Sequence, residues 1–305
     1  MIVLVEQLLV LLCFAVIGFA LSRFGIVKGE HSSILSRLLV YVFLPSNIIR
    51  TFAKNCTVAY VSQHYLLVLI SLGIVLVLGV GARIAAKTVF KRSPDAPIFE
   101  YSLVIPNFGY LGYALTESVF GASGLMDAMM FAMPLSLYAY TVGFCILSGK
   151  KLSPKSLLNP TMIALVIGVI LGVSGLGGLL PEITYTLLDK ASACMAPVSM
   201  LLFGIVLSDF GLPSMLKDKR TYGITALRLV LIPLLIGGIL TLVGAPVTAI
   251  RTALMLYCLP CGLNTVVFVK SAGGNCQPGA ALSFVSTILC PLTIPLILLL
   301  FGIRL

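Results

Sequence analysis

Residues 102–117 read SLVIPNFGYLGYALTE, and residues 255–270 read MLYCLPCGLNTVVFVK. Both stretches are apolar enough for a membrane helix, yet each has an internal proline, Pro106 in the first and Pro260 in the second. Proline lacks a backbone N–H and clashes with the preceding helical turn, so each helix loses hydrogen bonds that lipid cannot replace. We therefore predict two broken membrane helices, each unwound where it lines a cavity within the protein.

Polar and flexible residues accompany both breaks. The first proline is followed by Asn107 and Gly109, and the second by Gly262 and Asn264. Half-helix N-termini that meet in a cavity favour an anionic group, and half-helix C-termini favour a small cation. These four residues and the two prolines are candidates for a substrate-binding site. The alternative is that the prolines only kink the helices and the asparagines bond neighbouring helices.

The composition indicates that much of the surface faces lipid. The 305 residues are 59% hydrophobic and 10% charged, with a mean hydropathy of +1.13, whereas a soluble domain carries about 25% charged residues. The net charge of +10 lies in short basic clusters between apolar runs, so we expect positively charged cytoplasmic loops and no nucleic-acid partner. The eight cysteines lie mostly inside apolar runs and are interpreted as small buried hydrophobes, with no metal site.

We predict an all-α membrane protein of ten transmembrane helices joined by short connections. The predicted spans are 3–22, 34–53, 65–86, 97–119, 126–148, 159–177, 185–208, 222–243, 249–270 and 279–302,.

The basic residues predict the orientation in the cytoplasmic (inner) membrane. When alternate loops are grouped, the bias places both termini outside the cytoplasm. Fourteen basic residues fall on the cytoplasmic side: Arg23, Lys28, Arg37, Arg83, Lys87, Lys91, Arg92, Lys150, Lys151, Lys155, Lys217, Lys219, Arg220 and Lys270. Five fall on the other side, namely Arg50, Lys54, Lys190, Arg251 and Arg304, while Arg228 lies within a span.

The prolines indicate an internal repeat of two five-helix halves, residues 1–152 and 153–305. Three pairs recur at offsets of 152, 154 and 157 positions: Pro45 with Pro197, Pro106 with Pro260, and Pro134 with Pro291. Because five is an odd number, the halves enter the membrane in opposite senses, as in many secondary transporters. Broken helices four and nine would then run antiparallel and cross at their breaks. Chance is the alternative, since proline is tolerated in membrane helices.

Three stretches carry a resemblance to a known family. Pro106-Asn107 before glycine-rich apolar sequence, LPCGLNTVVFVKS at 259–271 and MAPVSMLLFGIVLSD at 195–209 resemble the auxin efflux carrier family. That family includes the plant PIN carriers and bacterial proteins described as malate or malonate permeases. The resemblance covers essentially the whole chain.

The resemblance implies a scaffold of helices 1, 2, 6 and 7 and a mobile transport domain of helices 3–5 and 8–10 that contains the crossing. It also implies that Asn107 helps to hold a substrate carboxylate. Asn264 matches less closely, because plant members have a different second crossing. The loop at 149–158 is short where many plant members have a long hydrophilic insert, which favours a compact bacterial-type member.

Other polar residues near prolines are candidates for the same cavity. Ser46 and Asn47 follow the proline of span two, and Ser199 follows that of span seven. Tyr138 and Tyr140 lie close to the proline of span five. Hydrogen bonding between neighbouring helices is the alternative role.

Arg50 near the outer end of span two has two interpretations. An arginine in hydrocarbon often marks a pathway or an ion pair, and Glu117 is a candidate partner. Its side chain could instead reach the outer interface by snorkelling. His31 and His64 both lie near span ends and are predicted to be interfacial.

These observations favour alternating-access transport of a small organic anion, a carboxylate, and not an enzyme. The sequence has no phosphate-binding loop and no clustered acid, base or metal ligand,. A sodium-coupled symporter of the bile-acid symporter type is the alternative, with a polytopic membrane enzyme, a receptor or a channel more distant. We expect no bound cofactor; Na⁺ or H⁺ as coupling ion is left open. The expected partners are the organic anion and the lipid bilayer, and a homodimer is also left open.

Overall fold

The computed structural model describes residues 2–27, 32–151 and 158–303, and these residues are predominantly α-helical, as predicted. Short helical turns at Leu176–Leu179 and Leu212–Leu216 lie in the connections. The longer helices are α1 Ile2–Arg23, α2 Ser32–Asn55, α3 Val58–Thr88, α4 Ala96–Val104, α5 Phe108–Ser148, α6 Pro160–Val173, α7 Glu182–Ser208, α8 Lys219–Leu242, α9 Val247–Tyr257, α10 Asn264–Ser271 and α11 Gln277–Leu300.

Seven helices in the described residues are long and apolar enough to cross a membrane: α1, α2, α3, α5, α7, α8 and α11. Helices α6 and α9 are apolar but shorter. The broken character of spans four and nine is evident, because α4 is separated from α5 and α9 from α10 at the two prolines.

Local hydrogen bonding sets helix ends that the sequence placed elsewhere. Helix α3 begins at Val58, seven residues before the predicted start, because the Thr57 side chain accepts from the Tyr60 N–H at 3.1 Å and caps the helix,. Helix α5 continues through the predicted gap between spans four and five and bends there at Gly121, whose φ of +67° favours glycine,. Four residues used in the sequence analysis lie outside the described ranges: Lys28, His31, Lys155 and Arg304.

Helices α1, α2, α6 and α7 pack together through close backbone contacts at glycine. A Cβ added to Gly204 of α7 would lie 1.9 Å from the Ala15 carbonyl oxygen of α1. A Cβ added to Gly172 of α6 would lie 2.4 Å from the Phe52 carbonyl oxygen of α2. Only glycine permits this approach, which lets two membrane helices gain dispersion contacts along their backbones. We call these four helices the first group.

The other helices, α3–α5 and α8–α11, form the second group. Helix α3 packs on α4 and α5, α8 packs on α9 and α11, and α9 and α10 pack on parts of α5. The two groups meet where α1 contacts α5 and α11, where α2 contacts α5, and where α7 contacts the first turn of α5. Both broken helices therefore belong to the second group, and the start of α5 touches the first.

Candidate functional site

The break between α4 and α5 meets the break between α9 and α10. Pro106 and Cys261 form an isolated antiparallel bridge, and the Asn107 N–H donates to the Pro260 carbonyl oxygen at 2.9 Å. All four residues are buried. Non-helical backbone is tolerated at membrane depth when the protein satisfies its hydrogen bonds. Here the backbone of one break bonds the backbone of the other. The structure thus brings together the two prolines on which the sequence analysis rested.

The first break leaves several donors free. The Asn107 backbone is non-helical, with φ −78° and ψ 52°, and its carbonyl accepts from the N–H groups of Leu111 (3.3 Å) and Gly112 (3.0 Å). The N–H groups of residues 108–110 have no acceptor among the described residues. An unsatisfied first turn is the usual property of a helix N-terminus, and it gives the start of α5 a partial positive charge.

The second break is held by hydroxyl groups. The Cys261 N–H donates to the Ser286 hydroxyl of α11 at 3.0 Å. The Gly262 carbonyl accepts from the Thr265 hydroxyl at 2.8 Å and from the Ser283 hydroxyl at 3.3 Å. Side chains from α10 and α11 therefore replace the helical partners that Pro260 removes.

The side chains of the two asparagines beside the breaks differ in their hydrogen bonding. The Asn264 amide donates to the Tyr101 hydroxyl at 3.0 Å. The Asn107 side chain is only 6% exposed, yet no described residue bonds to its amide. An amide that no described residue bonds can still donate to and accept from a ligand, so Asn107 is a group that a ligand could satisfy.

A small cavity lies between the crossing and the first group. Its volume is about 20 Å³, which is enough for about one water molecule and too small for a carboxylic acid. Leu44 of α2 and Thr161 of α6 contribute to its wall from the first group. Six of the candidate residues also line it: Pro106, Asn107, Gly109, Tyr140, Gly262 and Asn264. The cavity is therefore closed to a carboxylate in this conformation.

Three further candidates do not line the cavity. The Ser199 hydroxyl donates to the Tyr110 carbonyl at 3.4 Å and so adjoins the cavity. Asn47 is buried and its side-chain oxygen accepts from Arg50 at 3.3 Å, which directs it to another cluster. Ser46 is half-buried and absent from the cavity lining.

The two candidate tyrosines of span five are separated. Tyr140 lines the crossing cavity, whereas Tyr138 lines a groove of about 710 Å³ that also contains Arg83 and Glu100. Positions i and i+2 of a helix point about 200° apart, so one helix cannot direct both side chains into one cavity. The structure therefore places Tyr138 away from the crossing.

Arg50 forms ion pairs that link the two helical groups. From α2 it donates to Glu117 of α5 and, at 3.2 Å, to Asp189 of α7. The Arg50 side chain is 17% exposed. The ion-pair interpretation of Arg50 is thus confirmed, with Asp189 as a second partner that the sequence had not indicated.

Arg228 of α8 is a buried charge whose role the sequence analysis did not identify. The side chain has no exposed surface, and its Nη1 donates to the Leu103 carbonyl at 3.4 Å. The guanidinium lies 5.2 Å from the centroid of the Tyr257 ring. The sequence does show an arginine within an apolar span, which often marks a functional residue. Arg228 was assigned to neither side of the membrane, and no role was inferred for it.

A second polar cluster surrounds Asp127 of α5. Its carboxylate is buried and accepts from the Tyr60 hydroxyl and, at 3.2 Å, from Arg251. The His64 ring stacks on Tyr60 at 4.1 Å, and its Nε2 lies 3.8 Å from Asp127. These residues come from α3, α5 and α9, so no sequence spacing could have found the cluster. His64 is a half-buried member of it and not simply an interfacial residue.

Comparisons with known proteins agree on a broad class. The model of a family described as membrane transport protein matches residues 3–153 and 144–298. An uncharacterized transporter of Methanocaldococcus jannaschii is 29% identical over 236 residues, which cover 72% of this chain and 73% of that protein. An uncharacterized transporter of Methanothermobacter thermautotrophicus is 24% identical over 296 residues, which cover 95% of this chain and 96% of that protein.

Proposed function

This chain belongs to the membrane transport protein family, that of the auxin efflux and PIN-like carriers, and we propose that it is a secondary transporter of a small organic anion. The anion would be a carboxylate, carried across the cytoplasmic membrane by alternating access. The observation that carries this proposal is the closed cavity at the crossing, where a buried amide and free backbone donors meet.

The chemistry of the cavity favours an anionic group. The unpartnered Asn107 amide and the free N–H groups of residues 108–110 supply donors, and the N-terminus of α10 begins at Asn264 on the same cavity. Two half-helix N-termini give partial positive charge without a fixed cation. A carboxylate held by dipoles and amides can be released when the helices move, which suits a carrier that must turn over.

The proposed architecture is ten crossings in two inverted halves, residues 1–152 and 153–305. The bend at Gly121 divides α5 into two arms, and α4 with the first arm forms one broken span. Helices α9 and α10 form the other broken span, and the short helix α6 is a further crossing. The second arm of α5 is a span of its own, so that with the remaining six long helices this assignment gives ten spans, in agreement with the proline repeat.

The two helical groups correspond to the proposed scaffold and transport domain. The first group, α1, α2, α6 and α7, is joined by glycine contacts between backbones, as expected for a rigid body,. The cavity lies between Leu44 and Thr161 of this group and the breaks of the second. A relative displacement of the groups would open it.

Opening must break the ion pair between Arg50 and Glu117, since these residues belong to different groups. The excess of basic residues on the opposite side supports an outer position for this pair, with both termini outside the cytoplasm. We therefore assign it the role of an outer latch.

Proteoliposomes provide the test of transport. The purified protein should take up a mono- or dicarboxylate saturably, and the same carboxylate on the far side should accelerate uptake by counter-transport. Absence of carboxylate flux across such a screen contradicts the proposed substrate class, and flux that neither saturates nor shows counter-transport indicates a channel.

Variants test the assignment of the site. Asn107→Ala should lower uptake by about 10- to 100-fold, because a hydrogen bond to a charged group contributes about 1.5–3 kcal/mol. The matched control is Asn275→Ala, in an exposed loop, which should leave uptake unchanged. If both Asn107→Ala and Asn264→Ala transport like the wild type, the site lies elsewhere.

A further inference from the structure

Arg228 brings a permanent positive charge into the second helical group. Its side chain is completely buried, and a guanidinium stays protonated in proteins. Among the described residues no carboxylate forms an ion pair with it; its Nε and Nη2 have no hydrogen-bond partner. An arginine inside a membrane protein is costly and requires compensation from its surroundings. The compensation must therefore come from groups other than acidic side chains.

The first compensating group is a carbonyl freed by the crossing. In an uninterrupted helix the Asn107 N–H would donate to the Leu103 carbonyl, four residues earlier. Here it donates to the Pro260 carbonyl in the other broken helix. The freed Leu103 carbonyl, at the C-terminal end of α4, instead accepts from Arg228 at 3.4 Å.

The second broken helix repeats this pattern. The Cys261 N–H, which would otherwise bond the Tyr257 carbonyl, donates to the Ser286 hydroxyl. Tyr257 is the last residue of α9, and its ring lies 5.2 Å from the Arg228 guanidinium. The guanidinium thus contacts a carbonyl at the C-terminal end of α4 and the ring of the last residue of α9. The C-terminal end of a helix carries about half a negative charge, so the two ends together match one positive charge.

We propose that Arg228 is a built-in cation that supplies, where the first halves of the two broken helices end, the positive charge that a coupling sodium ion would otherwise supply. This inference rests on the proposed transport function and concerns its ion coupling: transport needs no bound sodium. Arg228 is absent from the lining of the crossing cavity. It is therefore a positioning residue: it bonds the C-terminal end of α4, which leads directly into Pro106 and Asn107 in the cavity wall.

The experiment compares sodium with choline at equal ionic strength in the wild type, Arg228→Lys and Arg228→Ala. Carboxylate uptake by the wild type and by Arg228→Lys should be the same in both salts. Arg228→Ala should lose about tenfold or more of its uptake in choline, because two helix ends lose their counter-charge. Sodium or free guanidinium should restore part of that uptake by entering the vacated space. The matched control, Arg220→Ala, removes a half-exposed arginine of the same helix and should retain sodium-independent uptake.

Thermal unfolding of the purified proteins in the same salts provides a second measurement that needs no substrate. Sodium or guanidinium should raise the midpoint of Arg228→Ala but not that of the wild type. The proposal is overturned if the wild type takes up carboxylate only in sodium, or if sodium raises the midpoint of its thermal unfolding. It is also overturned if the Arg228→Ala variant keeps full uptake in choline. If Arg228→Ala does not fold, the wild type and Arg228→Lys still decide. A wild type without carboxylate uptake in either salt contradicts the proposed function, and the midpoints then test the cation role alone.

Discussion

Each of the two breaks contains a proline, but the two are stabilised in different ways. At the first, the Asn107 amide and the N–H groups of residues 108–110 have no partners in the described part of the chain. At the second, Ser286 and Thr265 bond the backbone, and Asn264 bonds a buried tyrosine. The hydrogen-bonding groups of the second break find partners within the protein, whereas the first break has donors that a ligand could bond. This difference is the reason for our proposal that the first break binds the ligand and the second supports it.

The largest expected effect comes from placing a negative charge at each asparagine in turn. Asn107→Asp should weaken carboxylate binding by about 100-fold or more, since like charges in a buried site repel by several kcal/mol. Asn264→Asp should cost about tenfold, because the new carboxylate can accept from the Tyr101 hydroxyl that now bonds Asn264,. Binding is measured as a thermal shift against carboxylate concentration. Equal losses at the two positions would remove the distinction between the breaks.

A methyl group at Gly279 should disturb the second break. The added Cβ would lie 2.7 Å from the Thr265 carbonyl oxygen, and backbone atoms cannot move aside as a flexible side chain can. We expect Gly279→Ala to lower the free energy of unfolding by about 2–3 kcal/mol, measured by thermal unfolding in detergent. Gly73→Ala, where the Cβ would meet nothing within 4 Å, is the control and should not destabilise. An unaffected midpoint in Gly279→Ala would show that the second break is not tightly packed.

Removal of one hydroxyl should have a smaller effect. Ser286→Ala leaves the buried Cys261 N–H without its acceptor, which should cost about 1–2 kcal/mol. The control is Ser118→Ala, since that exposed hydroxyl bonds only carbonyls of its own helix. The two variants are compared by the same unfolding measurement. If they are equally stable, water or a neighbouring group replaces the Ser286 hydroxyl.

The smallest effect is expected at the hydroxyl that holds Asn264. Tyr101→Phe removes one neutral hydrogen bond and keeps the buried ring, so the cost should be about 1 kcal/mol or about fivefold in KM for uptake. Tyr41→Phe, with an exposed ring, is the control. A much larger loss would mean that Tyr101 and Asn264 act together on the substrate, and the support role of the second break would be wrong.

The sequence predicted which residues gather at the crossing better than it predicted the contacts that they make there. Pro106 and Pro260 were informative because their effect on a helix is local and covalent. Six of the candidate residues line one cavity, including Asn107 and Asn264. Tyr138 does not line it. The direction of a side chain depends on how its helix is rotated, and the apolar pattern determines that rotation poorly when lipid contacts much of the helix.

Charged residues were harder to interpret from the sequence. Arg50 and Glu117 are 67 positions apart. The sequence suggested that they could pair, but it could not show that their two helices are neighbours. Arg228 was assigned only to a span, because its partner is a backbone carbonyl. That carbonyl becomes available only when the Asn107 N–H bonds to the other half of the chain.

The sequence by itself determined that the chain is a helical membrane protein with two proline breaks and an amide beside each. Those properties follow from apolar length and from the missing proline N–H, which need no neighbour. Tertiary structure decided which amide is free, which carbonyls meet Arg228 and which helices form each group. The reason is that a hydrogen-bonding group freed at a break must find its partner in another helix,, and packing alone selects that partner.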